Sequence, residues 1–188
     1  MHARYTIPTI PTVPTPAYTP LAVLLHWTLA VLIIGMIGLG WYMQSLEKGP
    51  VAGWYFNLHK SIGLVVAGLV VLRLAWRLSH PPAPLPGSVP RWQARAAKAS
   101  HWLLYAAMLA MPLFGTLGAL LSKSGIVFFG TPLPRVFEPD RDLMKIFYGA
   151  HGVTAVILVG LIVLHVLAAL KHLLIDRDGV FQRMGWSR

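Results

Sequence analysis

Four long runs of apolar residues follow one another along the chain, each divided from the next by a polar or proline-bearing stretch. Leu21 to Met43 is 23 residues, mostly apolar, enough to cross a bilayer at about 1.5 Å per residue. Trp54 to Leu78, Ser100 to Ser122 and Met144 to Leu174 repeat the pattern. Glu47, Lys48, Gly49 and Pro50 divide the first two runs, and His80 to Pro90 holds five prolines, a firm break. Pro112 inside the third run predicts a kink, and a longer polar loop leads on to Asp142. The expected fold is all-α, an integral membrane four-helix bundle over residues 21–175. Before it, residues 1–20 include PTIPTVPTPAYTP, which neither continues a helix nor buries a core, and are expected to form a disordered tail. This tail lacks the order of a signal peptide, so the first span is expected to act as an uncleaved insertion signal. Residues 176–188 are expected to be a C-terminal tail.

Composition agrees with the pattern. The 188 residues are 56% hydrophobic and 12% charged, far from the roughly 25% charged residues of soluble domains. With no cysteine, iron–sulfur clusters, covalently attached haem and disulfides are excluded, and any redox centre must hang on His or Met. The net charge of +10 sits beside apolar runs, so it sets topology and no nucleic-acid partner is expected. If the N-terminus is cytoplasmic, ten Lys and Arg lie inside and six outside, with four of the six acids also outside. Both termini are therefore expected in the cytoplasm, with membrane lipid around the spans.

Histidine supplies the candidate chemistry. His151 and His165 lie fourteen residues apart in the last run, which places them within about 40° on one helix face and about 21 Å apart along the axis. Ionisable groups inside a span are costly and functional as a rule, and two imidazoles stacked in this way suit two haems, one above the other. Topology assigns depth to the rest. His59 opens the second span on the outer side and pairs with His151; His26 and His101 open the first and third spans on the inner side, where either can meet His165. The same fourteen-residue step carries His26 to Gly40, where a missing side chain lets a porphyrin approach the backbone. It carries His59 to Arg73, a cation suited to a haem propionate, and His101 to Gly115. His26 is preferred over His101 because the first span then contributes a ligand, although the spacing leaves both open. His2, His80 and His172 lie at or beyond span ends and read as ordinary polar residues, Trp27, Trp41, Trp54, Trp76 and Trp102 as an interfacial belt, and Met36, Met108 and Met111 as packing. Lys60, Lys123, Arg135, Arg141 and Lys145 give the outer side charge that can steer an anion. A metal-ion transporter is disfavoured because it needs carboxylates within the spans.

The motifs LLHW, NLHKSIGL, LRLAWRL followed by PPAPLP, SHWLLYAAMLAMPLFG, YGAHG and LHVLAALKHLLIDRDGVFQRM together resemble the bacterial cytochrome b561 family over roughly residues 18–186. The resemblance implies a four-helix, multi-pass protein of the inner membrane with two haem b groups, passing electrons between a periplasmic one-electron donor and membrane quinone. It implies His26 and His165 as iron ligands on the inner haem, His59 and His151 on the outer one, and a place for His101 near a propionate or the quinone. One type in the family oxidises superoxide and reduces ubiquinone, which are the expected donor and acceptor. Other relatives are haem-bearing membrane anchor subunits of multi-subunit dehydrogenases, the alternative here, which would add a redox partner protein.

Overall fold

The computed structural model describes residues 17–185, so the expected tail over residues 1–16 lies outside the described residues. Four long helices make up the molecule: α1 (Pro20–Gln44), α2 (Pro50–Ser79), α3 (Arg91–Leu120) and α4 (Arg141–Lys171). All four are long and apolar enough to cross a membrane, giving an all-α membrane bundle. Thr19 caps α1 by accepting from the Ala22 N–H at 3.3 Å, with Pro20 in the first turn, where its missing N–H costs nothing. Asp140 caps α4 by accepting from the N–H groups of Asp142 and Leu143. The α1–α2 connection, Ser45–Gly49, is too short for anything but an antiparallel turn.

Helix α3 begins at Arg91, nine residues before the expected Ser100. Its first turns, RWQARAAKA, are rich in Ala, Arg, Lys and Gln, which favour helix in water as readily as in lipid. Pro112 lies inside α3 without ending it. Helix α4 widens at its exit: a π-helical turn over His172–Asp176 stops at Arg177, which has a left-handed φ of 50° and donates its N–H to the His172 carbonyl.

The bundle's centre is a cluster of Leu29, Ile33, Val66, Val70, Leu104, Ala107 and Leu158, drawn from all four helices, with Val70 wholly buried. Large apolar residues elsewhere face outward, Val31, Val71, Val156 and Leu167 among them, as expected where lipid is the solvent.

Both ends are closed by structure the apolar pattern does not reveal. On the side where α1 ends, the connection between α3 and α4 carries a hairpin, β1 (Val127–Phe128) and β2 (Thr131–Pro132), paired antiparallel. Its two turn residues, Phe129 and Gly130, both have positive φ, the arrangement that matches the twist of a two-residue hairpin. Ser61 of α2, 1% exposed, pins it: the hydroxyl is shared between the carbonyls of Asn57 and Val127 and accepts the Phe129 N–H at 2.9 Å. At the opposite end, the turn Phe181–Met184 folds under the bundle. Buried Arg183 donates to the carbonyls of Ala83 and Pro84 in the proline-rich connection, while its own carbonyl accepts the Tyr18 N–H. Trp27 adds an indole N–H to the Met184 carbonyl.

Candidate haem-binding site

The structure brings the histidines together at two levels. At the level closed by the hairpin, His59 of α2 and His151 of α4 face each other, ring centroids 6.1 Å apart and planes at 77°. At the other level, His26 of α1 and His165 of α4 stand 6.1 Å apart at 71°. His101 of α3 lies there as well, 5.7 Å from His165. One level therefore holds a pair and the other a trio, with α4 contributing a ring to each.

These distances have a chemical meaning. An imidazole centroid lies roughly 1 Å from its own nitrogens and a metal–imidazole bond is about 2.0 Å, so two rings on one metal atom stand roughly 6 Å apart. Both facing pairs meet that condition. His59 Nδ1 is a second sign: it is buried without a hydrogen-bond partner, and such an atom costs about 1–3 kcal/mol unless something outside the chain's own polar groups engages the ring. An all-imidazole donor set in a cysteine-free apolar bundle suits haem iron, so the residues present fit the group.

Two of the rings, His151 and His26, have ring nitrogens engaged by neighbours. His151 Nδ1 lies 2.9 Å from the Met111 carbonyl of α3. His26 Nδ1 lies 3.3 Å from the Arg73 guanidinium, which also donates to the Ala22 carbonyl at 2.9 Å. Arg73 thus stands at the same level as His26 and His165, and Arg77, one turn on, lies over the Tyr105 ring. The two arginines, Tyr18, Ala22, Trp76, His80 and Tyr105 line a small cavity there that contains no acid. Gly40 sits beside His59: a Cβ placed on it would be 3.5 Å from His59 Cε1, an ordinary contact.

Several residues singled out from sequence have other work. His172 turns away from the histidine levels and holds Asp178 at 2.7 Å, within a knot that includes Asp176 and Lys171. His80 stacks on Trp76 at 3.8 Å. Lys60 donates to Asn57, Ser124 and the Gly125 carbonyl, and Arg135 to the carbonyls of Ser122 and Lys123, so both fasten the hairpin connection. Lys145 forms an exposed pair with Asp142. Trp41 and Trp54 are exposed near helix ends, as an interfacial belt requires, whereas Trp27 and Trp102 are exposed seven and eleven residues inside α1 and α3. The fourteen-residue step from His101 reaches Gly115, which lies beside His151, but nothing in the sequence marks Gly118, whose neighbour Tyr148 lies on another helix.

Comparison with known proteins agrees in family and extent. Residues 17–187 match the family described as prokaryotic cytochrome b561. The chain is 36% identical over 172 residues to cytochrome b561 homolog 2 of Escherichia coli (strain K12), covering 89% of this chain and 90% of that protein. It is 28% identical over 166 residues to cytochrome b561 homolog 1 of the same organism, covering 85% and 92%. It is 25% identical over 170 residues to the probable superoxide oxidase CybB of Yersinia pestis, covering 89% and 94%. Four spans, imidazoles at two depths and a family match along nearly the whole chain lead to one conclusion: the protein belongs to the prokaryotic cytochrome b561 family, electron-transferring b-type haem proteins that pass several times through the inner membrane.

Proposed function

We propose that the chain holds two haem b groups and relays electrons from a periplasmic one-electron donor, superoxide, to ubiquinone in the membrane. The observation that carries this reading is the pair of facing imidazole sets at opposite ends of one bundle, each 6.1 Å across and each using α4. His59 and His151 would hold the outer group, and His26 and His165 the inner one. Bound there, the haems supply one-electron carriage across the hydrocarbon.

The chain's own residues do the remaining work. With two imidazoles available to each group, the chain would favour electron transfer over oxygen binding. The central cluster around Val70 keeps water out between the two levels. Arg73 places a cation at the inner level, where it would offset the charge of a propionate. Each superoxide gives up one electron and leaves as dioxygen; two such electrons and two protons convert one quinone to quinol. Similarity to a probable superoxide oxidase supports this donor. Exposed Lys123 and Arg141 remain to attract an anion, since Lys60 and Arg135 are engaged within the fold and Lys145 pairs with Asp142.

A reduced-minus-oxidised absorbance spectrum of the purified protein tests the core of the proposal. The expected result is b-type bands amounting to two haems per chain; no such bands would overturn it. Quinol formation from generated superoxide then tests the donor, and bands without that reaction would remove superoxide while keeping the haems.

A further inference from the structure

We infer that α3, which contributes no ligand to the outer level, positions one: Gly115 makes room for the His151 ring and the Met111 carbonyl holds its Nδ1–H, so that Nε2 faces His59 unprotonated. The inference rests on the ligand assignment proposed above and adds the residues that make His151 a ligand rather than a mobile imidazole.

A carbonyl only accepts, so the 2.9 Å contact between His151 Nδ1 and the Met111 oxygen requires the proton on Nδ1. In a neutral imidazole that leaves the lone pair on Nε2. Gly115 lies one turn beyond Met111. A Cβ there would stand 2.9 Å from His151 Nδ1 and 3.1 Å from Cε1. The imidazole is rigid and held at that same Nδ1, so it cannot yield without stretching the hydrogen bond. Three residues on, a Cβ at Gly118 would meet the Tyr148 ring at 2.7 Å. Tyr148 precedes His151 by three residues as Gly115 precedes Gly118, so two gaps on α3 receive two rings on α4 in matching register.

The other ring of the outer pair differs. Among the described residues His59 Nδ1 has no hydrogen-bond partner, and Gly40 gives its ring only an ordinary contact. The protein therefore sets His151 firmly and leaves His59 to adjust. A hydrogen bond from the second ring nitrogen to a carbonyl fixes the tautomer and raises ligand basicity, and its loss weakens metal retention about 10–100-fold in comparable sites.

The test compares wild type, Gly115→Ala, His151→Ala and Gly160→Ala, the last a control because a Cβ at Gly160 meets nothing within 4 Å. Haem content, low-spin electron paramagnetic resonance and redox titration are read for each. Gly115→Ala should shift the outer signal and its potential, with haem retained about 10–100-fold less tightly, while the inner signal and Gly160→Ala match wild type. Wild type without b-type bands would mean that the haem proposal itself has failed. Wild type with two haems, His151→Ala with one, and Gly115→Ala unchanged would overturn only the positioning role. Should Gly115→Ala not be recovered, reduced wild-type protein labelled with 15N-histidine and 13C-carbonyl methionine decides. A protonated Nδ1 correlated with a Met carbonyl is expected, and its absence overturns the inference.

Discussion

At the scale of single residues, Arg73 does two jobs that conflict when the inner level is loaded. A guanidinium can only donate, so at 3.3 Å His26 Nδ1 is its acceptor, and a neutral ring then carries its proton on Nε2. Were His26 to hold the proposed inner group through Nε2, its proton would sit on Nδ1, and Arg73 would be free to face a propionate. Arg73→Gln removes a positive charge beside the inner group, which stabilises its reduced form less. Its midpoint potential should fall by a few tens of millivolts, where about 59 mV is a tenfold change for one electron, while the outer potential stays put. The inner trio is separable in the same way. His26→Ala should halve the haem content, whereas His101→Ala should keep both groups; loss of one haem in His101→Ala instead would exchange their roles.

At the scale of elements, the four spans could be read from their apolar lengths, and α1 ends within one residue of the reading at both ends. What escaped was structure that does not depend on lipid. The first turns of α3 are helical because Ala, Arg, Gln and Lys form helix in water, where hydropathy is silent. The hairpin was invisible because Phe129 occupies a left-handed position usually held by Asn, Asp or Gly, so Phe-Gly gives no turn signal. It keeps that conformation with help from Ser61, whose hydroxyl meets both β1 and the Phe129 amide. Ser61→Ala leaves these groups without their partner at a cost of about 1–3 kcal/mol. Hydrogen exchange over residues 127–132 should therefore accelerate roughly tenfold or more, with the helix cores unchanged; unaltered exchange would show that the hairpin stands without Ser61.

At the scale of the whole molecule, the levels of the histidines were legible because antiparallel spans convert sequence position into depth. The choice between His26 and His101 was not, since both stand within ring contact of His165 and only side-chain environment separates them. Sidedness is a further whole-molecule property. Eight of the fourteen Lys and Arg among the described residues lie at the end marked by His26 and His165, which by the positive-inside tendency is the end expected in the cytoplasm. A C-terminal fluorescent protein should light up in the cytoplasm, and a C-terminal phosphatase that needs the periplasm should stay inactive; the reverse pattern would invert the bundle.

The sharing of α4 by both levels also bears on biogenesis. A nascent chain with three spans inserted already carries His26, His59 and His101, yet each facing pair still lacks a ring. Under the proposed ligation, pigment capture would wait for the fourth span to leave the translocon, and both groups would be acquired after synthesis of the spans rather than one by one as they emerge.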